Sequence, residues 1–203
     1  MKKIIILLLL AIAGVAAWYI WETRQKPKDE VPQNKVVASK YSSGFNKSLI
    51  TVLDSYYSLS ESFVNWDSVG VDAKSAELRN YLNNIELREI KKDTASVKTS
   101  ISHLKNYLTQ IEENKSLEEK RKVFNTFSQD LFNALRSMEF DNSIVYLQKC
   151  PMAFNDTGTG FWISKTEEIR NPYLGMHHPK YKKGMLTCGE IETKIDLANK
   201  VSK

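Results

Sequence analysis

From about Ser42 to Met138 the apolar residues recur at three- and four-residue steps, the period of a helix with one buried face. Four stretches carry the pattern. The first runs from about Ser42 through Phe45, Leu49, Val52, Leu53, Tyr56, Leu59 and Phe63. The second spans about Val69 to Ile90, with Val71, Leu78, Tyr81, Leu82 and Ile85 inward and Asn83-Asn84 weakening its end. The third starts near Thr94 and aligns Val97, Ile101, Leu104, Leu108 and Ile111. The fourth opens at Ser116 with Glu119 three residues on, a capping-box pattern, and turns Phe124, Phe127, Leu131, Leu135 and Met138 inward. Four amphipathic stretches with short connections predict a mainly α chain, an antiparallel four-helix bundle over residues 42–140.

The period breaks after about Asp141. Residues 141–203 read as an irregular segment packed on the bundle and carrying short β strands. Ser143 to Gln148 is β-prone, and Glu190 to Ile195 alternates. Gly158, Gly160, Asn171-Pro172, Gly175, Pro179, Gly184 and Gly189 mark turns between them. Phe161-Trp162 is expected to plug this segment onto the helices.

The N-terminus has a different logic. Lys2 and Lys3 precede Ile4 to Trp21, a run of 18 residues without a charge. That length lies at the lower edge of a membrane-spanning helix and exceeds an ordinary signal-peptide core. Trp18, Tyr19 and Trp21 at its far end suit the headgroup region. Ala11-Ile12-Ala13 and Val15-Ala16-Ala17 offer small-residue cleavage sites, though cleavage would leave an apolar new terminus. Residues 1–23 are expected to be an uncleaved signal anchor or a cleaved signal peptide. No cysteine is near for a lipid anchor. Residues 24–41, polar with Pro27 and Pro32, read as a linker. Either reading places the body on the periplasmic side of an inner membrane.

Charge adds little beyond this. The formal net charge is +5, and without Lys2 and Lys3 it is 27 basic against 24 acidic residues. The signs are interspersed, without the basic stripe and aromatic platforms of a nucleic-acid binder. Neither G-x-S-x-G, H-E-x-x-H nor a P-loop occurs in the sequence, and we expect no catalysis.

The candidate chemistry is sulfur. Both cysteines lie in the terminal segment, as Cys150-Pro151-Met152 and Met185-Leu186-Thr187-Cys188, with Met176, His177 and His178 between them. Thiolate and thioether are soft donors that favour Cu(I). An added imidazole from His177 or His178 would also admit Zn(II). The expected metal residues are Cys150, Met152, Met185 and Cys188, with Met176, His177 and His178 as further candidates. The alternative is a disulfide between Cys150 and Cys188, which would close a loop worth about 4 kcal/mol in the chain-entropy account. Met152 and Met185 would then only pack.

The blocks VYLQKCPMA, FWIS, IRNPYLG and MLTCGEI, with the helical SYYSLSESFVNWD, resemble a bacterial family catalogued as a domain of unknown function, DUF3347. The helical block places Asp67 at that family's aspartate. The resemblance covers about residues 45–195. It implies a small exported domain, also found appended to periplasmic adaptor subunits of heavy-metal efflux pumps. It therefore implies handling of copper or another soft ion, with an efflux or metal-delivery protein as partner. Carried over by position, its ligands are Cys150, Met152, Met185 and Cys188; Trp162, Asn171, Pro172 and Tyr173 would be structural. The stretch MHHPKYKKG departs from the family's shorter link, so Met176, His177 and His178 fall outside the motif.

Overall fold

The computed structural model describes Trp18 and residues 39–85, 87–90, 94–154 and 157–197. Apart from Trp18, the candidate membrane segment 4–21 lies outside the described residues, as does most of the linker. Among the described residues no helix is long and apolar enough to cross a membrane. The fold described here, Trp18 aside, belongs to the compact unit Val37–Lys203.

Four α-helices follow the predicted stripes: α1 Ser43–Val64, α2 Ser68–Asn83, α3 Thr94–Glu113 and α4 Leu117–Ser137. Side-chain oxygens of Ser42, Asp67 and Ser116 cap the starts of α1, α2 and α4. The apolar stripes, from Phe45, Leu49 and Tyr56 through Leu78, Leu104 and Ile111 to Phe124 and Leu131, form one buried cluster. Helices consecutive in the chain pack on one another. Tyr56 of α1 stacks on Phe124 of α4 with ring centroids 5.4 Å apart, and Phe63 meets the same ring tilted at 4.6 Å.

One helix boundary differs from the periodic reading. The second helix stops at Asn83 instead of reaching Ile90, and Leu87–Glu89 forms a separate 3-10 turn. Asn83 and Asn84 are poor helix continuers, because short amide side chains compete for backbone groups. The capping box is also incomplete. The Ser116 hydroxyl accepts from the Glu118 N–H at 3.2 Å, and the Glu119 carboxylate turns instead to Lys122 at 2.6 Å.

The terminal segment is more regular than expected. It forms a three-stranded antiparallel sheet of β1 Val145–Phe154, β2 Gly158–Ser164 and β3 Glu190–Ile195, in the order β2-β1-β3. β3 falls where alternation placed it. β1 runs six residues past Gln148, so Cys150 and Met152 lie in a strand. β2 was masked by Gly158 and Gly160, which read as turns. Gly160 is instead a close-approach residue, since a Cβ there would sit 2.6 Å from Ala153 Cβ and from the Tyr173 ring. The β1–β2 register shifts between Cys150 and Phe154. Pro151, which has no N–H to give a ladder, falls inside that irregularity.

The sheet docks on the helices through β2 and α4. Trp162 is buried with its ring 6.1 Å from that of Tyr173. Tyr56 supplies the polar tie. Its hydroxyl lies 2.7 Å from the Ser128 hydroxyl and accepts the Ile163 N–H of β2 at 2.9 Å. Replacing Tyr56 with Phe should leave that buried N–H unsatisfied. We expect a loss of about 1–3 kcal/mol, read as a lower denaturant midpoint with an unchanged slope.

Candidate functional site

Asn171 organises the turn-rich connection between β2 and β3. Its side chain is fully buried. The Oδ1 atom accepts the N–H groups of Tyr173 (2.8 Å) and Leu174 (3.0 Å), an Asx-type turn. The Nδ2 atom donates to the Cys188 carbonyl at 2.8 Å, and the Asn171 N–H donates to the Leu186 carbonyl at 2.8 Å. One amide thus joins the NPYLG turn to the stretch that carries Cys188. Gly189 completes the placement: its φ is 144°, and a Cβ there would lie 2.6 Å from the Lys149 carbonyl. Cys188 is therefore held beside the residue that follows Lys149 in β1.

That residue is Cys150. The two Sγ atoms lie 2.9 Å apart, as free thiols, with Cys150 fully buried and Cys188 half-buried. Met185 belongs to the same turn, because the Cys188 N–H donates to its carbonyl at 3.0 Å. Met185 also packs against the core.

The other candidates lie elsewhere. Met152, two residues beyond Cys150 but within the register shift, lines a cavity of about 600 Å³ that neither cysteine borders. His178 lines the same cavity. Its Nδ1 accepts the N–H groups of Lys180 and Tyr181, each at 3.2 Å, and its ring stacks on Tyr181. His177 is exposed. Met176 is half-buried, and its N–H donates to the Val64 carbonyl at the end of α1 (2.7 Å). Among the described residues no three His, Cys, Asp or Glu side chains gather to hold a metal. The donor set that does converge is a thiol pair, whose soft sulfurs fit a soft ion or each other.

Residues 52–143 match a family described as a protein of unknown function, DUF3347. Over these residues the chain is similar to the DUF3347 family. No curated protein and no solved structure matches it. The matched residues cover most of α1, all of α2 to α4 and the approach to β1. They stop short of Cys150.

Residues that the periodic reading passed over build the cavity wall. Arg121, the fifth residue of α4, is buried there. It donates from Nε to the Pro172 carbonyl (2.9 Å) and from Nη2 to the Phe63 carbonyl (3.0 Å). Its guanidinium lies 4.0 Å from the centroid of Trp66. Trp66 has φ 58° and closes α1 in a Schellman motif, with Trp66 N–H to Phe63 and Asp67 N–H to Ser62. Glycine usually occupies that position. For a side-chain-bearing residue the left-handed conformation costs about 1–2 kcal/mol. The ring's contact with Arg121 and its Nε1–H bond to the Leu174 carbonyl (3.0 Å) offset that cost. A tryptophan directly after a helical stripe and before an aspartate cap was the available sequence signal.

Burial lowers Arg121 to about 10, partly opposed by Tyr173 and Glu118, so it stays charged at neutral pH. Burial also raises the Cys188 thiol, with its hydrogen bond to Cys150 and that neighbour's charge reinforcing the effect, up to about 12. The fold thus favours the protonated thiol of Cys188.

Two outcomes follow from this geometry. Asn171→Ala removes three side-chain bonds to buried backbone, and we expect about 2–4 kcal/mol of destabilisation in urea melts. Slow amide exchange at Leu174 should be lost with it. For the reduced protein, a raised folded-state thiol pKa contributes stability that is full below pH 9 and fades as pH rises toward about 12. The denaturant midpoint should therefore fall across that alkaline range, and Cys188→Ser should flatten the fall.

Proposed function

We propose that this protein is an exported soft-metal-binding domain, copper being the favoured ion. It would hold or pass the ion to an efflux or metal-delivery partner without catalysis. The observation that carries this reading is the meeting of Cys150 and Cys188 at 2.9 Å from segments 38 residues apart. Two thiols in contact become, on losing their protons, a soft donor pair suited to Cu(I). Met185 belongs to the same turn as Cys188, its carbonyl accepting the Cys188 N–H, and would be the third donor. Met152 and His178 border the separate cavity, and Met176 and His177 are set on the loop outside it. We assign these four no place in the primary donor set.

The apolar run Ile4 to Trp21 supports export, with a signal anchor or signal peptide on the membrane and the body on the periplasmic side. The four helices are read as an antiparallel bundle. It would serve as the rigid base on which the sheet and the Asn171 turn hold the two cysteines. Proton release accompanies metal uptake. The upward shift of Cys188 then makes affinity rise with pH.

A second reading has its own observation. Among the described residues no third His, Cys, Asp or Glu joins the pair, and the two sulfurs lie close enough to be oxidised together. Cys150 and Cys188 would then be a disulfide clasp in an envelope interaction module.

A competitive Cu(I) titration of the full chain, reduced and then oxidised, with free thiols counted in each sample, separates the two. The metal reading expects one-to-one binding in the reduced form only, abolished in the Cys150→Ser/Cys188→Ser double variant. It is overturned if that variant binds as tightly as the parent. A spontaneous disulfide, no binding in either form and a stability loss of about 4 kcal/mol on reduction would establish the clasp instead.

A further inference from the structure

The cavity of about 600 Å³ between the end of α1, the first turn of α4, the β1 irregularity and the loop after Gly175 is large enough for a small organic ligand. Its walls are mostly aromatic or aliphatic: Trp66, Phe154, Tyr173, Tyr181 and Met152. Arg121, 4 % exposed, forms part of the lining. A buried cation is expensive unless a counter-charge meets it. Arg121 has carbonyl partners, but among the described residues no carboxylate forms an ion pair with it. Glu118, on the same helix and also lining the cavity, acts on it only through space. The two carbonyl bonds use two of the five guanidinium N–H donors.

From this arrangement we infer that the cavity is a binding site for a small organic monocarboxylate with a flat apolar body. The carboxylate would meet the remaining Arg121 donors, and the body would lie against Trp66 and Phe154. Several features select this class. A planar guanidinium fork matches a carboxylate in two parallel bonds. The lining carries the buried Arg121 and the exposed Lys180 against Glu118, a net charge of one that suits a single negative charge better than a phosphate dianion. The aromatic walls reward a flat hydrocarbon body. A bare metal cation is disfavoured, because Arg121 already occupies the Trp66 face and repels it.

The site also accounts for the Trp66 backbone. Trp66 takes the left-handed conformation where glycine would be free of strain. That conformation sets its indole against Arg121, holding one wall of the cavity and fixing the guanidinium plane. The inference is independent of the metal reading, since neither cysteine borders the cavity.

The test uses the full chain and benzoate as probe, with benzyl alcohol and inorganic phosphate as comparators, followed by calorimetry and by chemical shifts of the indole N–H groups. We expect benzoate to bind with a Kd below about 10 mM and at least about tenfold tighter than benzyl alcohol or phosphate. A Trp66 indole shift should accompany binding. Arg121→Gln should weaken benzoate at least about tenfold. Because Arg121 also ties two carbonyls, Leu117→Trp supplies a second variant. It fills the cavity from the first turn of α4, leaves those bonds in place, and should weaken benzoate to a similar extent. Saturable one-to-one binding of a short peptide through its free C-terminal carboxylate, lost on amidation, would support the same site with a peptide as source. Equal affinity for benzoate and benzyl alcohol, no binding up to about 10 mM, or benzoate binding unchanged in Leu117→Trp would overturn the inference.

Discussion

The residues between β2 and β3 have little regular hydrogen bonding of their own, so their buried backbone must find partners on side chains. Asn171 meets that demand. Its single amide accepts two N–H groups of the following turn and donates to the carbonyl of Cys188. Arg121 meets it from the helical side, taking the carbonyls of Pro172 and Phe63. The loop is thus tied to the sheet through one side chain and to the helices through the other. The position of Cys188 and the shape of the cavity both depend on these two groups.

The same ties separate two kinds of chemistry that lie close together in sequence. Cys150 and Met152 are two residues apart in β1, and in a regular strand they would share a face. The β1–β2 ladder is irregular between Cys150 and Phe154, around Pro151. Cys150 turns to Cys188 in the core, and Met152 borders the cavity with His178. A cluster that reads as one soft-donor segment along the chain becomes a thiol pair and a separate arginine-walled pocket.

Polar groups inside the helical part follow a related logic. Lys120 is buried, and its ammonium pairs with Asp72 of α2. Arg79 of α2 reaches Thr109 at 2.8 Å and Glu112 of α3 at 3.0 Å. These cross-helix contacts add directional restraints to stripes that hydrophobic burial alone would leave free to slide. Their main effect is on arrangement, since buried ion pairs add little net stability over apolar packing.

Much of the helical fold was legible in the chain. A stripe such as Val97, Ile101, Leu104, Leu108 and Ile111 has only one arrangement that buries every member, because helical periodicity is local. β3 was legible for the same reason, with a period of two. The thiol pair was legible only as two soft residues in one segment, with a metal site expected and a disulfide as the alternative. What tertiary structure alone decided were features that depend on residues far apart in sequence. Gly160 pairs with Cys150 in the ladder, where Ala153 and Tyr173 leave no room for a Cβ, and the ladder slips around Pro151. Trp66 and Arg121, 55 positions apart in the chain, acquire a role only when α1 and α4 bring a strained backbone and a buried charge to one wall. Local patterns specify elements because neighbours in sequence generate them; a site of contacts across the chain has no such local signature.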